Sequence, residues 1–223
     1  MYNWKGKDRT AESIRNPRRT SDIYLHFSTL SEEIKKHANL TSGILLDIGS
    51  GTSPYRPYFS HVKKYITLDF FHNKERPDII GNGLNLPIKN NSVDSVLCTL
   101  TLEHIHDPHL FVDEIYRALK PGGICLLSTH MAIPLHALPY DYFRFTNMGL
   151  KNVIFKKFSD VQVKECGGSL LSMFQLFNWA IYEKLPKFLS IPLIVPINLI
   201  VKPLDKIIHD DNFTTTYLVI AKK

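Results

Sequence analysis

Two rhythms of apolar residues alternate along the chain. Ile23, Phe27, Leu30, Ile34 and Ala38 recur at helical spacing, which predicts an amphipathic helix with Ser21 or Asp22 as its amino cap. Ile44–Ile48 is instead a short apolar run that breaks into turn residues, the mark of a buried strand of a parallel sheet. Tyr65–Asp69, Val93–Cys98 and Ile124–Ser128 repeat that second pattern. Between them, a helix is expected from Ser53–Pro54 to about His61, irregular because Pro57 falls early in it. Another should open at Asp107–Pro108, with Asp as cap and Pro at the first helical position. Phe111, Ile115, Ala118 and Leu119 mark its buried face, and Lys120-Pro121-Gly122-Gly123 ends it.

The first strand runs into Asp47-Ile48-Gly49-Ser50-Gly51-Thr52-Ser53-Pro54. Gly49 and Gly51 carry no Cβ, so the backbone can turn sharply there and approach a ligand. Ligands of open α/β sheets sit beyond the carboxyl ends of the strands, where this turn falls. A dinucleotide fingerprint would need a third glycine, and Thr52, Ser53 and Pro54 occupy its place. No Gly-Lys-Ser/Thr follows either. A carboxylate two residues before the first glycine suits a cofactor that carries a cation rather than phosphates. Asp69, 18 residues past Gly51, closes the neighbouring strand where a carboxylate can accept from both ribose hydroxyls.

The composition is that of an ordinary soluble globular domain: 223 residues, 44% hydrophobic, 22% charged. The net charge of +6 is unevenly spread. Lys5, Lys7, Arg9, Arg15, Arg18 and Arg19 face only Asp8 and Glu12 in the first twenty residues, an excess of four. The remaining body is near neutral, which argues against a broad nucleic-acid-binding face. The arm reads as a solvated tail, with contact to an anionic surface as the alternative. Cys98, Cys125 and Cys166 lie in strand-like runs without a Cys-x-x-Cys pair, so buried free thiols are expected. The amino terminus lacks the apolar stretch of a secretory signal, and a cytoplasmic protein is expected.

Asp47-Ile48-Gly49-Ser50-Gly51 resembles the first motif of class I S-adenosylmethionine-dependent methyltransferases. Further segments resemble the later motifs of that family in the same order: Ile79–Pro87, the strand at Val93–Cys98, Leu102-Glu103-His104, the Asp107–Pro108 helix, and Leu119-Lys120-Pro121-Gly122-Gly123 with the strand after it. The resemblance implies a Rossmann-like α/β fold, a seven-stranded mostly parallel sheet flanked by helices. Val161–Cys166 and Tyr217–Ala221 look like its final antiparallel pair. The implied cofactor is S-adenosyl-L-methionine. Asp47, Gly49, Ser50 and Gly51 would shape its methionine pocket, and Asp69 with Phe70 would flank the ribose. Asn82, Gly83 and Leu84 would hold the adenine, with Thr99 and Leu100 lining the far side and His104 near the methionine end. The family usually has Asp where this chain has Asn82, whose carbonyl oxygen can still accept from an exocyclic amine.

Methyl transfer from a sulfonium is an in-line displacement, so the protein mainly positions donor and acceptor; an acceptor that must lose a proton also needs a base. His104 is one candidate base, against a packing role. The segment 134–146 resembles a stretch in a bacterial subgroup of the family. In it His136, Tyr140, Asp141 and Arg144 could supply a base and an anion clamp, or Asp141 and Arg144 could simply pair at helical spacing. Arg56 could meet the cofactor carboxylate or form an exposed salt bridge. His104, His106, Asp107 and His109 are dense but would point different ways, so no metal is expected there.

The chain therefore divides into a basic arm and cap helix (1–41), a cofactor-binding core (42–167), a hydrophobic helical insertion (168–212) and a final strand (213–223). Phe188–Val201 is fourteen residues without a charge. As a helix it would reach about 21 Å, short of the ~30 Å hydrocarbon core, and Pro192 and Pro196 should interrupt it. Residues 186–203 could lie on a membrane, form a dimer surface, roof a hydrophobic pocket, or pack on the sheet. The acceptor is expected to be a small molecule, apolar or lipid-linked. A non-catalytic S-adenosylmethionine-binding module and a nicotinamide-dependent oxidoreductase are the rivals, and the oligomeric state is left open.

Overall fold

The computed structural model describes residues 9–70 and 76–223; Lys5, Lys7 and Asp8 of the basic arm lie outside them. Five parallel strands form the core of the sheet: β1 (Ile44–Ile48), β2 (Lys64–Asp69), β3 (Ile79–Ile80), β4 (Val93–Thr99) and β5 (Leu119–His130). Two more, β6 (Asp160–Glu165) and β7 (Thr216–Lys222), pair with each other antiparallel, and β7 runs antiparallel to β5. The spatial order is β3-β2-β1-β4-β5-β7-β6. Chain order reverses direction between β1 and β4, the switch point at which open α/β sheets bind ligands. The expected seven-stranded α/β sheet is therefore present.

Alternate side chains of the central strands feed opposite layers. Leu46, Ile48, Val96, Cys98, Cys125 and Leu127 pack under α3 (Pro108–Ala118) with Phe111, Val112 and Ile115. Leu45, Leu97, Leu126 and Leu218 pack on the other face under α2 (Tyr24–His37) with Phe27, Leu30 and Ile34. Helix α3 begins as its sequence dictates: the Asp107 side chain accepts from Leu110 N–H at 3.0 Å and Pro108 stands first. All three cysteines are free and buried.

Several local expectations yield to tertiary structure. Ile23, not Ser21 or Asp22, caps α2, with no side-chain cap bond. The stretch after the glycine turn forms only a single 3-10 turn, Arg56–Phe59, with Pro57 at its start. Lys120-Pro121-Gly122-Gly123 does not separate helix from strand. It lies inside β5, where pairing skips from Val93–Leu119 to Ser95–Ile124 and the extra residues bulge outward. Residues 9–16 are not a solvated tail. They form the short helix α1 (Ala11–Arg15), whose Arg15 Nη1 donates to Pro54 O at 3.1 Å, while Ser31 Oγ donates to Arg15 O.

A three-residue helix, α4 (Asn147–Gly149), passes into a π-helical turn at Leu150–Ile154 before β6. The insertion is a helical hairpin of α5 (Ser169–Lys184) and α6 (Lys187–Ile207). Pro192, Pro196 and Pro203 stand inside α6 without breaking it. All three are exposed, so their rings lie on the side away from the body. At 21 residues α6 is about 31 Å long, the length of a hydrocarbon core rather than short of it. Its buried positions include Ser190, Asn198 and Asp205, while Phe188, Leu193, Ile200 and Ile207 are exposed. The face toward the protein thus mixes these polar side chains with Ile194 and Val201, while the outward face is largely apolar.

Candidate functional site

The glycine turn folds over the end of β2. Gly49 and Ser50 N–H groups donate to Leu68 O at 2.8 and 3.2 Å, and Gly51 N–H donates to Asp69 Oδ2 at 2.9 Å. Gly49 has φ +68°, and a Cβ there would lie 2.2 Å from Thr101 Oγ1, so only glycine lets the β1 and β4 turns close on each other. Gly51, at φ +51°, faces open space instead. Leu100 also holds a positive φ of 51°, unusual for a leucine, with its N–H donating to Ser128 O at 3.0 Å and Ser128 Oγ at 3.1 Å. Backbone strain of this kind is tolerated where surrounding structure over-determines it, typically at ligand sites.

Asp47 is 2% exposed beneath the turn and accepts from Tyr65 OH at 2.6 Å. Burial lifts its carboxyl to about 7, offset only partly by the Tyr65 and Ser53 hydrogen bonds. It lies buried beneath the turn rather than exposed at its surface. Asp69 lies at the rim, its Oδ1 accepting from Phe70 N–H at 2.7 Å, and the Phe70 ring is exposed beside it. After β3, Asn82 Oδ1 accepts from Leu84 N–H at 2.9 Å. The oxygen expected to meet an adenine amine is thus already engaged in a local turn, leaving its second lone pair for a ligand. A Cβ on Gly83 would strike the Phe111 ring at 2.4 Å, so this glycine serves close packing on α3. Thr99 ends β4 and Leu100 follows it, opposite the glycine turn. Arg56 lays its guanidinium over the Tyr65 ring at 5.2 Å.

The segment 134–146 folds back onto the β4 turn. Tyr142 and Phe143 N–H groups donate to Glu103 O at 2.9 and 3.3 Å, and Phe145 N–H to His130 O at 2.9 Å. His104 Nδ1 lies 2.7 Å from Tyr140 O; a carbonyl can only accept, so Nδ1 carries the proton and Nε2 the lone pair. The His104 and His136 rings meet edge to face at 4.8 Å. Those two candidates are therefore brought together, and the Tyr140 side chain is 53% exposed.

Asp141 and Arg144 are paired with each other. Arg144 Nη1 and Nη2 donate to Asp141 Oδ1 and Oδ2 at 2.6 and 2.9 Å, and His136 N–H donates to Oδ2 at 2.9 Å. Burial works to raise Asp141, but these hydrogen bonds outweigh it and hold the carboxyl at about 2. The Arg144 guanidinium is spent on Ile133, Pro134 and Phe143 carbonyls as well. The pair staples the loop, the simpler of the two readings open to the sequence.

Behind the loop is a buried polar cluster that sequence patterning does not pick out. Glu103 is fully buried; its Oε2 accepts from Thr129 Oγ1 at 2.9 Å and its Oε1 lies 3.2 Å from His130 Nε2. His130 Nδ1 meets Thr216 Oγ1 at 3.1 Å, and its ring lies 5.4 Å from His136 and 5.3 Å from His26. Burial lowers the basicity of all three imidazoles, to about 3 for His26 and about 4 for His136. Glu103 and His130 escape a sequence reading because each occupies one place in an otherwise apolar or turn-like segment. Tyr65 and Thr101, which position Asp47 and Gly49, escape it for the same reason.

Residues 46–127 match a family model described as a methyltransferase domain. Two curated relatives are demethylmenaquinone methyltransferases. That of Staphylococcus saprophyticus is 29% identical over 152 residues, 59% of this chain and 65% of the relative. That of Streptomyces griseus is 30% identical over 111 residues, 44% of this chain and 48% of the relative. The chain thus spans between about half and just under two thirds of these relatives' lengths. Among solved structures, an S-adenosylmethionine-dependent methyltransferase from Archaeoglobus fulgidus superposes with a TM-score of 0.59 at 16% identity, covering 95% of this chain and 97% of that one. At that identity the likeness speaks for the fold.

Proposed function

We propose that this chain, which carries a class I S-adenosylmethionine-dependent methyltransferase domain, moves the methyl group of S-adenosyl-L-methionine to a hydrophobic small molecule held at a membrane surface. The relatives' names give a quinone acceptor, demethylmenaquinone, and an apolar acceptor of that general kind suits the hairpin. The cofactor lies over the Gly49–Gly51 turn, with Asp69 on the ribose and Asp47 beneath the methionine end. Its sulfonium supplies an already activated methyl group. The chain's part is to align the acceptor at the ends of β4 and β5, exclude water with the 134–146 loop, and offer His104 Nε2 as proton acceptor.

The exposed apolar stripe of the α5–α6 hairpin is the observation that carries the acceptor class. Phe188, Leu189, Leu193, Leu199, Ile200 and Ile207 expose an apolar stripe on α6. Lys184 and Lys187 at the hairpin turn and Lys206 at the far end are exposed along it. An apolar stripe edged by lysines suits the headgroup boundary of an anionic bilayer, lying in the interface plane. The inner face leads to the chemistry: Gln175 Oε1 accepts from His26 N–H at 3.0 Å, and the Trp179 and His26 rings lie 5.5 Å apart. His26 in turn adjoins His130 at the end of β5. A peripheral protein of the cytoplasmic membrane face fits these features.

The test is vesicle sedimentation with phosphatidylglycerol-containing liposomes, paired with S-adenosylhomocysteine release from demethylated quinones dissolved in them. Wild-type protein should sediment with the vesicles and release product, while Phe188→Asp/Ile200→Asp should stay in the supernatant with unchanged cofactor affinity. Cofactor binding with no sedimentation, or equal sedimentation of the variant, overturns the membrane reading. Cofactor binding without product from any hydrophobic acceptor favours a non-catalytic binding module.

A further inference from the structure

We propose that Glu103, His130 and His136 form a binding site for one divalent transition-metal ion of the zinc and cobalt class. Each residue offers one ligand atom, and these atoms all lie within 4.8 Å of one another. The contact between Glu103 Oε1 and His130 Nε2 is 3.2 Å. Two ligands about 2.05 Å from a tetrahedral ion stand about 3.3 Å apart, so this edge already has the right length. Two imidazoles with one carboxylate select zinc, cobalt, iron or nickel over magnesium or calcium, which want oxygen ligands.

The surroundings are those of a ligand set rather than of a filled core. Each of the three has its other polar atom held from behind: Glu103 Oε2 by Thr129, His130 Nδ1 beside Thr216, and His136 Nδ1 beside Pro134 O at 3.3 Å with Asp141 Oδ2 at 3.5 Å. Such partners orient metal ligands and fix which imidazole nitrogen keeps its lone pair. The Pro134 carbonyl can only accept, so His136 Nδ1 carries the proton and Nε2 the lone pair. A plain carboxylic acid–imidazole hydrogen bond would be the alternative. Yet Glu103 Oε1, fully buried, has no aligned hydrogen bond to His130 or to any other described group. A buried carboxylate oxygen left in that state is costly, and a cation satisfies it. The neighbouring trio of His104, His136 and Asp141 is the weaker set, since Arg144 already occupies Asp141.

Glu103 lies in the turn after β4, His130 ends β5 and His136 lies on the loop beyond, its ring 4.8 Å from that of His104. Three protein ligands would leave a tetrahedral ion one further position, at which it could polarise an acceptor oxygen. Metal uptake does not depend on methyl transfer, so the two readings fail separately.

The full chain, stripped with a chelator and dialysed, is titrated with Co2+ while visible absorption and heat are followed. One equivalent should bind with the intense ligand-field bands of a four- or five-coordinate centre, and Zn2+ should displace it. Glu103→Gln and His130→Asn should lose more than about 100-fold in Co2+ affinity, and Thr129→Val about tenfold. S-adenosylhomocysteine affinity, measured on each variant, reports that the domain is folded. Should the buried variants fail that control, His136→Asn, on the loop, replaces them. No saturable Co2+ binding, an octahedral spectrum only, or unchanged affinity in the folded variants overturns the site.

Discussion

The Tyr65 hydroxyl donates to the Asp47 carboxylate at 2.6 Å from the adjacent strand, directly beneath the turn that would receive a sulfonium cofactor. Burial places this carboxyl at about 7, above its unfolded value, so the unliganded fold favours the protonated acid. That contribution to stability is full below the unfolded pKa near 4 and is lost as pH rises through about 7. A cationic ligand reverses the preference. S-adenosylmethionine affinity should therefore strengthen as pH rises across about 7, and Asp47→Asn should flatten the profile. Tyr65→Phe, which removes a hydrogen bond to the charged form, should move the transition upward by about one to two pH units. Calorimetric titrations from pH 5.5 to about 9 check all three. A pH-independent wild-type affinity contradicts the assignment.

Gly49→Ala tests the closure of the two turns. The alanine must adopt a positive φ and meet Thr101. A loss of at least about 2 kcal/mol in stability is expected, with cofactor binding weakened more than tenfold. Adding Thr101→Ala should recover the part due to the clash while the backbone part remains. A double-mutant cycle in urea separates them.

Buried polar groups reinforce the apolar contact of Leu171 and Val201 with Leu25 in attaching the hairpin. Asp205 accepts from Gly168 and Leu171 N–H groups at 2.9 and 3.0 Å, and Asn198 Nδ2 donates to Arg19 O at 2.7 Å. Asp205→Ala leaves two buried donors unmet and should cost about 2–4 kcal/mol, whereas Leu199→Ala on the exposed stripe should cost under about 1 kcal/mol. Thermal or urea melts distinguish them.

Arg144→Ala should release the 134–146 loop without touching the glycine turn. Proteolytic cleavage in that loop should speed up at least about tenfold, and acceptor KM should rise while cofactor affinity holds. Equal loss of cofactor binding would place the loop elsewhere.

Local signals made much of this legible. Asp107–Pro108 caps its helix because both cap and proline act on the next three residues, and β1, β2 and β4 fall within a residue of their apolar runs. The failures are non-local. Lys120–Gly123 looks like a helix stop, yet pairing with β4 on either side of it and the bonds of Gly122 and Gly123 to Lys223 carry the strand through it. Prolines forbid a helix in isolation at about 3 kcal/mol each, but Asn198, Asp205 and Ile194 hold α6 against the body around them. Within the site, the glycines and acidic strand ends declare themselves because backbone shape requires them. Glu103 and His130 do not, because what brings them together is the pairing of β4 with β5, 27 residues apart in sequence.

Strands β6 and β7 lie side by side, with Glu165 opposite Tyr217, so everything from Cys166 to Thr216 departs from and returns to neighbouring points. Those points are about 5 Å apart, one strand spacing. The stretch between residues 167 and 213 is thus a cassette: it pairs with none of the five parallel strands, so its length and chemistry can vary with little demand on them. Acceptor preference in this architecture can drift by replacing one contiguous block of sequence while the nucleoside end stays as it is.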